Sequence, residues 1–193
     1  MIISVNTPQY DKVKELILVN INPDTEVLDG NLIVNQEIYY AFSGIGIFSE
    51  GEHVSFFNTL CDFVKAKKQQ HFYVATLNWS NEIRNDYPIL AYKTNDNREI
   101  AVNEMNAILY KNKCDETFLI FNEEQDWFHY WNDTVTYAMF VFKHLQDWFI
   151  IKDIFGNEVL SEEEVMYELN FFQKDYMSKF NRLIKPRAFF REE

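Results

Sequence analysis

Four short apolar runs constrain this chain first. They are HFYVATLN (71–78), PILAYKT (88–94), TFLIF (117–121) and TVTYAMFVF (134–142). Each is rich in β-branched and aromatic residues and too short for an ordinary helix, so each predicts a strand. A sheet is therefore obligatory. Residues 25–44, TEVLDGNLIVNQEIYYAFSG, add a hairpin signal at Asp29-Gly30, where a type I′ turn needs positive φ at both central positions. A strand is expected at 37–43, a short one at 1–6, and another in DWFIIKDIF (147–155), turning at Gly156-Asn157. PILAYKT and REIAV (98–102) flank NDN and predict a second hairpin.

Helical periodicity appears between these runs. Thr7 followed by Pro8 reads as an N-cap with proline in the first turn, and Tyr10, Val13, Leu16 and Ile17 predict a helix over 8–18. Ser49 and Glu52 fit a capping box, and Phe56, Leu60, Phe63 and Val64 predict a helix over 52–67, with lysines in its last turn. A short helix is expected at 103–113. Ser161 and Glu164 fit a second capping box; Val165, Leu169, Phe172, Tyr176, Phe180 and Leu183 then step by three or four until Pro186. Strands and helices mix without a βαβ rhythm. The expected fold is one α+β domain over 1–193, with a largely antiparallel sheet and a long amphipathic C-terminal helix.

Composition and charge narrow the function. Aromatic residues make up 17% of the 193 residues, enough to build a core without metals or disulfides. The net charge is −12, which disfavours direct binding to nucleic-acid phosphates and to anionic membranes. It favours solubility and electrostatic steering of a basic partner. Cys61 and Cys114 are isolated thiols, as suits a reducing cytosol. The opening residues lack a signal-peptide pattern and no apolar run reaches membrane-spanning length, so a cytoplasmic protein is expected.

Catalytic motifs are weak. SGIGIFSEG (43–51) lies between a strand and a helix but lacks the third dinucleotide-fold glycine and the phosphate-loop lysine. His53, His71, His129 and His144 show no metal-ligand spacing. Cys61 falls near the apolar stripe of its helix, whereas Cys114 has lysines nearby. No cofactor, metal or catalytic set is expected, and the chain reads more readily as a non-enzyme.

The segment NEEQDWFHYWND (122–133) interleaves acids with aromatics. As a helix it would align Trp127, Tyr130 and Trp131 on one face. Glu123, Glu124, Asp126, Tyr130, Trp131 and Asp133 are the candidate partner-binding residues, since interfaces combine aromatic anchors with a charged rim. The ordinary alternative is that the aromatics are core and the acids a solvated face. QDWF occurs at 125–128 and again at 146–149, each time after an apolar run and three further residues. Two copies do not make a repeat fold; both are expected to bury their tryptophan in one core.

These features favour an acidic cytoplasmic protein that neutralises a basic protein partner. Its most concrete form is an immunity protein inhibiting a toxin such as a nuclease. A scaffold subunit docking, or self-associating, through its C-terminal helix is the second reading. A hydrolase with a dispersed histidine–carboxylate site is the third.

Overall fold

The computed structural model describes residues 1–4, 6–18, 38–44, 53–77, 88–111, 117–131, 138–169, 177–178 and 180–192. In chain order its strands are β1 (Ile2–Ile3), β2 (Tyr39–Ser43), β3 (His71–Leu77), β4 (Ile89–Lys93), β5 (Thr117–Phe121), β6 (Trp127–Trp131), β7 (Ala138–Phe142) and β8 (Ala188–Phe189). The α-helices are α1 (Pro8–Leu18), α2 (His53–Ala66), α3 (Arg98–Lys111), α4 (Gln146–Phe155) and α5 (Glu162–Leu169). The strands form one sheet in the order β1-β4-β3-β5-β6-β7-β2-β8. Neighbours run antiparallel except β2 and β8, which are parallel. The class is α+β, as the mixed rhythm of the sequence predicts.

Both faces of the sheet are covered. On one, Tyr10, Val13 and Ile17 of α1 and Val165 and Leu169 of α5 pack on Phe121, Phe128, Tyr130 and Val141. On the other, Phe56, Phe63, Met105 and Ile151 from α2, α3 and α4 pack on Phe72, Ile120, Trp127 and Phe140. Burial on two sides explains why these strands are nearly continuous apolar runs. In β6 all five residues, Trp-Phe-His-Tyr-Trp, are buried.

The caps hold where the structure describes them. Thr7 Oγ1 accepts from Tyr10 N–H at 3.2 Å. Ser161 and Glu164 make the reciprocal box, with Ser161 N–H donating to Glu164 Oε2 at 2.7 Å and Glu164 N–H to Ser161 Oγ at 3.3 Å. The C-terminal stripe is helical over Glu162–Leu169, and Phe180–Ile184 form a π-helical turn before Pro186. The Asp29-Gly30 hairpin and the Ser49/Glu52 box lie outside the described residues, as does most of SGIGIFSEG.

Three local expectations are corrected. REIAV is the first turn of α3, not a strand. Asn97 Oδ1 accepts from Ile100 N–H at 3.2 Å, so NDN ends in a helix cap rather than a hairpin turn. DWFIIKDIF is helical: Trp148, Ile151 and Phe155 are buried in helical steps, and Gly156, at φ 51°, closes α4. The segment 122–133 does not align its aromatics on a helix face. Its described part, 122–131, is a turn followed by β6, which sends Trp127 and Trp131 to one side of the sheet and Tyr130 to the other.

Candidate functional site

The two QDWF copies leave the sheet at the same end. The first follows β5 and enters β6; the second follows β7, whose Phe142 pairs with Trp127. The end of α2 lies at that edge too. There Gln69 N–H donates to Val64 O and Lys68 N–H to Lys65 O, with Lys68 at φ 59°. This is a Schellman motif with a left-handed lysine in the position that usually favours glycine.

The motif's geometry sets Lys67 between the two repeated aspartates. Its Nζ lies 2.7 Å from Asp126 Oδ2 and 2.6 Å from Asp147 Oδ1, and its side chain is only 6% exposed. Gln69 completes the joint: its amide nitrogen donates to Asp126 Oδ1 at 3.2 Å, and its carbonyl oxygen accepts from Trp127 Nε1 at 2.9 Å. Asn122 also donates to Asp126. Burial opposes ionisation of Asp126, yet Lys67, Asn122 and Gln69 together hold it below the usual carboxylate range. Burial raises Asp147, reinforced by the Asp126 charge and only partly countered by Lys67. One ammonium thus clamps the β5–β6 turn and the start of α4 to the end of α2. Trp127 and Trp148 both enter the core layer behind it, as expected.

The candidate partner-binding residues are divided by this arrangement. Glu123 and Glu124 are exposed on the turn, where Gln125 adopts φ 54°. Lys12 Nζ lies 3.8 Å from Glu123. Asp126 is engaged in the clamp. Tyr130 and Trp131 are buried, which removes them from the surface of the fold. Asp133 lies outside the described residues.

The described histidines do not converge. His71 and His144 are exposed, the latter close enough to Asp147 to act on its charge. His129 is fully buried between the rings of Phe56 and Phe140, with centroid distances of 4.9 and 4.6 Å. Neither of its nitrogens has a hydrogen-bond partner among the described residues, and burial lowers its pKa to about 3. Among the described residues no group of three His, Cys, Asp or Glu side chains could hold a metal ion. Cys61 is packed in α2, its thiol pushed up to about 11 by burial, with Arg98 and Lys65 acting weakly the other way. Cys114 lies outside the described residues.

A groove beside α5 was missed by the sequence reading. Gly44 N–H donates to Glu158 O at 2.8 Å and Leu160 N–H to Phe42 O at 2.9 Å, so residues 158–160 extend the edge of β2. A Cβ at Gly44 would come within 3.3 Å of Leu160, a close approach that favours glycine. With Gly44, Leu160 and Ser161, the side chains of Glu163, Glu164, Tyr167, Glu168 and Arg191 line a cavity of about 580 Å³. The Ser161 backbone N–H, then Arg191, hold the Glu164 carboxyl below its usual range. The only sequence signal was the EEE run after Ser161, which also serves the helix dipole.

Among the described residues no helix is long and apolar enough to cross a membrane. No protein-family model, curated protein or solved structure matches this chain.

Proposed function

We propose that this chain is an acidic cytoplasmic binding protein that neutralises a basic protein partner, in its most concrete form an immunity protein inhibiting a toxin such as a nuclease. The observation that carries this reading is the α5 groove: three glutamates and a largely exposed tyrosine line one cavity in a chain of net charge −12. Long-range attraction steers a basic protein to such a surface, and an exposed aromatic beside carboxylates supplies contact area on arrival. Glu123 and Glu124 on the β5–β6 turn add to the steering field.

The test is binding of the purified chain to the basic proteins encoded next to it. A complex is expected whose affinity falls steeply with salt, together with loss of the partner's nuclease activity. Absence of any complex at moderate salt would overturn the proposal.

A further inference from the structure

This acidic chain carries a basic segment near its end. Lys185–Arg191, KPRAFFR, holds three cations and no acid, against a net charge of −12 for the whole. Pro186 stands in the tight turn Lys185–Arg187, and the backbone leaves that turn extended. β8 then lies parallel to β2, with Ala188 opposite Tyr40 and Phe189 opposite Ala41. Beyond it, Arg191 N–H donates to Leu160 O at 3.0 Å. Successive side chains point to opposite faces of the sheet. Phe189 lies against Trp148, Tyr39 and Phe142 at centroid distances of 5.2, 5.8 and 6.2 Å. Phe190 stacks on Phe42 at 6.0 Å on the other face. Lys185 pairs with Glu162, and Arg191 with Glu164 and the Asn157 carbonyl.

The tail therefore sits as a bound peptide sits: backbone on a sheet edge, alternate side chains in aromatic seats, cations on carboxylates. Its ladder with β2 is only two residue pairs long. Side chains hold it more than backbone bonds do, and a short edge segment opens at lower cost than the strands inside the sheet. Once it lifts, the outer edge of β2 over Tyr39–Ala41 offers unpaired N–H and C=O groups, a template for another strand. Resting on the basic-partner reading, we infer that this edge is a strand-addition site for an extended, basic and aromatic segment of the partner, occupied by the chain's own tail until the partner displaces it. Only chains with a released tail are competent, so the seated tail weakens the partner's apparent affinity in proportion.

The probe is a synthetic peptide of residues 185–191 with blocked ends, titrated into the full ¹⁵N-labelled chain and its Phe189→Ala variant. Phe189→Ala loosens the tail without changing charge and leaves its aromatic seat open. Saturable shifts are expected at Tyr40, Ala41 and the Trp148 indole, with binding about tenfold tighter to the variant than to the native chain. A peptide with both phenylalanines replaced by alanine keeps every charge and should lose the binding. Arg191→Gln, which frees the far end of the tail, should tighten binding of the aromatic peptide by about threefold. Equal binding to native and variant chains, no binding to the variants, or binding retained by the alanine peptide would overturn the inference. If the peptide fails in one of these ways while the salt-sensitive complex with a neighbouring basic protein still forms, only the strand-addition site falls. If the peptide behaves as expected and no complex forms, only the basic-partner reading falls.

Discussion

The two QDWF copies, Gln125–Phe128 and Gln146–Phe149, share four residues and diverge in structure. In the first, Gln125 is left-handed, Asp126 ends a turn and Trp127-Phe128 begin a strand buried on both faces. In the second, all four residues open α4; Trp148 is buried against Phe189 at 5.2 Å, while Phe149 is 65% exposed. Yet both aspartates reach the same lysine and both tryptophans the same core layer. Identical local sequence therefore encodes a shared anchor here, without encoding the structure that follows it.

The comparison breaks most sharply at the shared anchor. Lys67→Met strands two carboxylates in a half-buried site and should cost about 3–5 kcal/mol in urea denaturation. Replacing Asp126 and Asp147 by Asn in the same chain should recover much of that loss. A loss below about 1 kcal/mol for Lys67→Met would mean that the clamp does not hold the copies together. The phenylalanines then separate them. Phe128→Ala should cost about 3–5 kcal/mol as a core truncation, whereas Phe149→Ala should stay within about 0.5 kcal/mol. Equal losses would reject the two assigned environments.

His129, two places along β6 from the start of the strand, tests the first copy's burial by pH. Its pKa is about 3 in the folded chain against 6.5 as a free side chain. The unfolded chain therefore takes up the proton first, so stability is full above pH 6.5 and declines as pH falls from 6.5 toward 3. His129→Leu should remove that part of the acid slope and, by removing two polar atoms that have no partner among the described residues, stabilise the chain at pH 7 by about 1–3 kcal/mol. An unchanged slope between pH 6.5 and 4 would place the titration elsewhere. The smallest effect is expected at the exposed acids of the first copy's turn. Glu123→Gln with Glu124→Gln should change stability by less than about 0.5 kcal/mol while slowing association with a basic partner, read by stopped flow.

Local signals read well where the structure depends on near neighbours. Pro8, with Thr7 before it, started α1 where expected, and Ser161 with Glu164 started α5, because a cap is satisfied within three residues. TFLIF and HFYVATL became β5 and β3 because both faces of the sheet demand apolar side chains. REIAV misled because Ile100 and Val102 favour strands, while the deciding contact was the Asn97 cap. DWFIIKDIF is apolar enough to satisfy either period, and its packing against Phe140 of β7, Phe63 of α2 and Phe189 of β8 decided for the helix. Trp127, Tyr130 and Trp131 could have shared a helix face; pairing with β5 and β7 split them across the sheet instead.

Sequence by itself determined the acidic balance, the strand-forming runs, the Ser161/Glu164 capping box and the mixed α+β class. These rest on net composition or on contacts within a few residues. The tertiary structure decided the different fates of the QDWF copies, the choice of Lys67 among Lys65, Lys67 and Lys68, and the α5 groove. The partners concerned lie far along the chain: 80 residues separate Lys67 from Asp147, and 57 separate Gln69 from Asp126. No local pattern encodes such distances. The end of the sheet brings these groups together, and burial there makes the loss of any one partner costly.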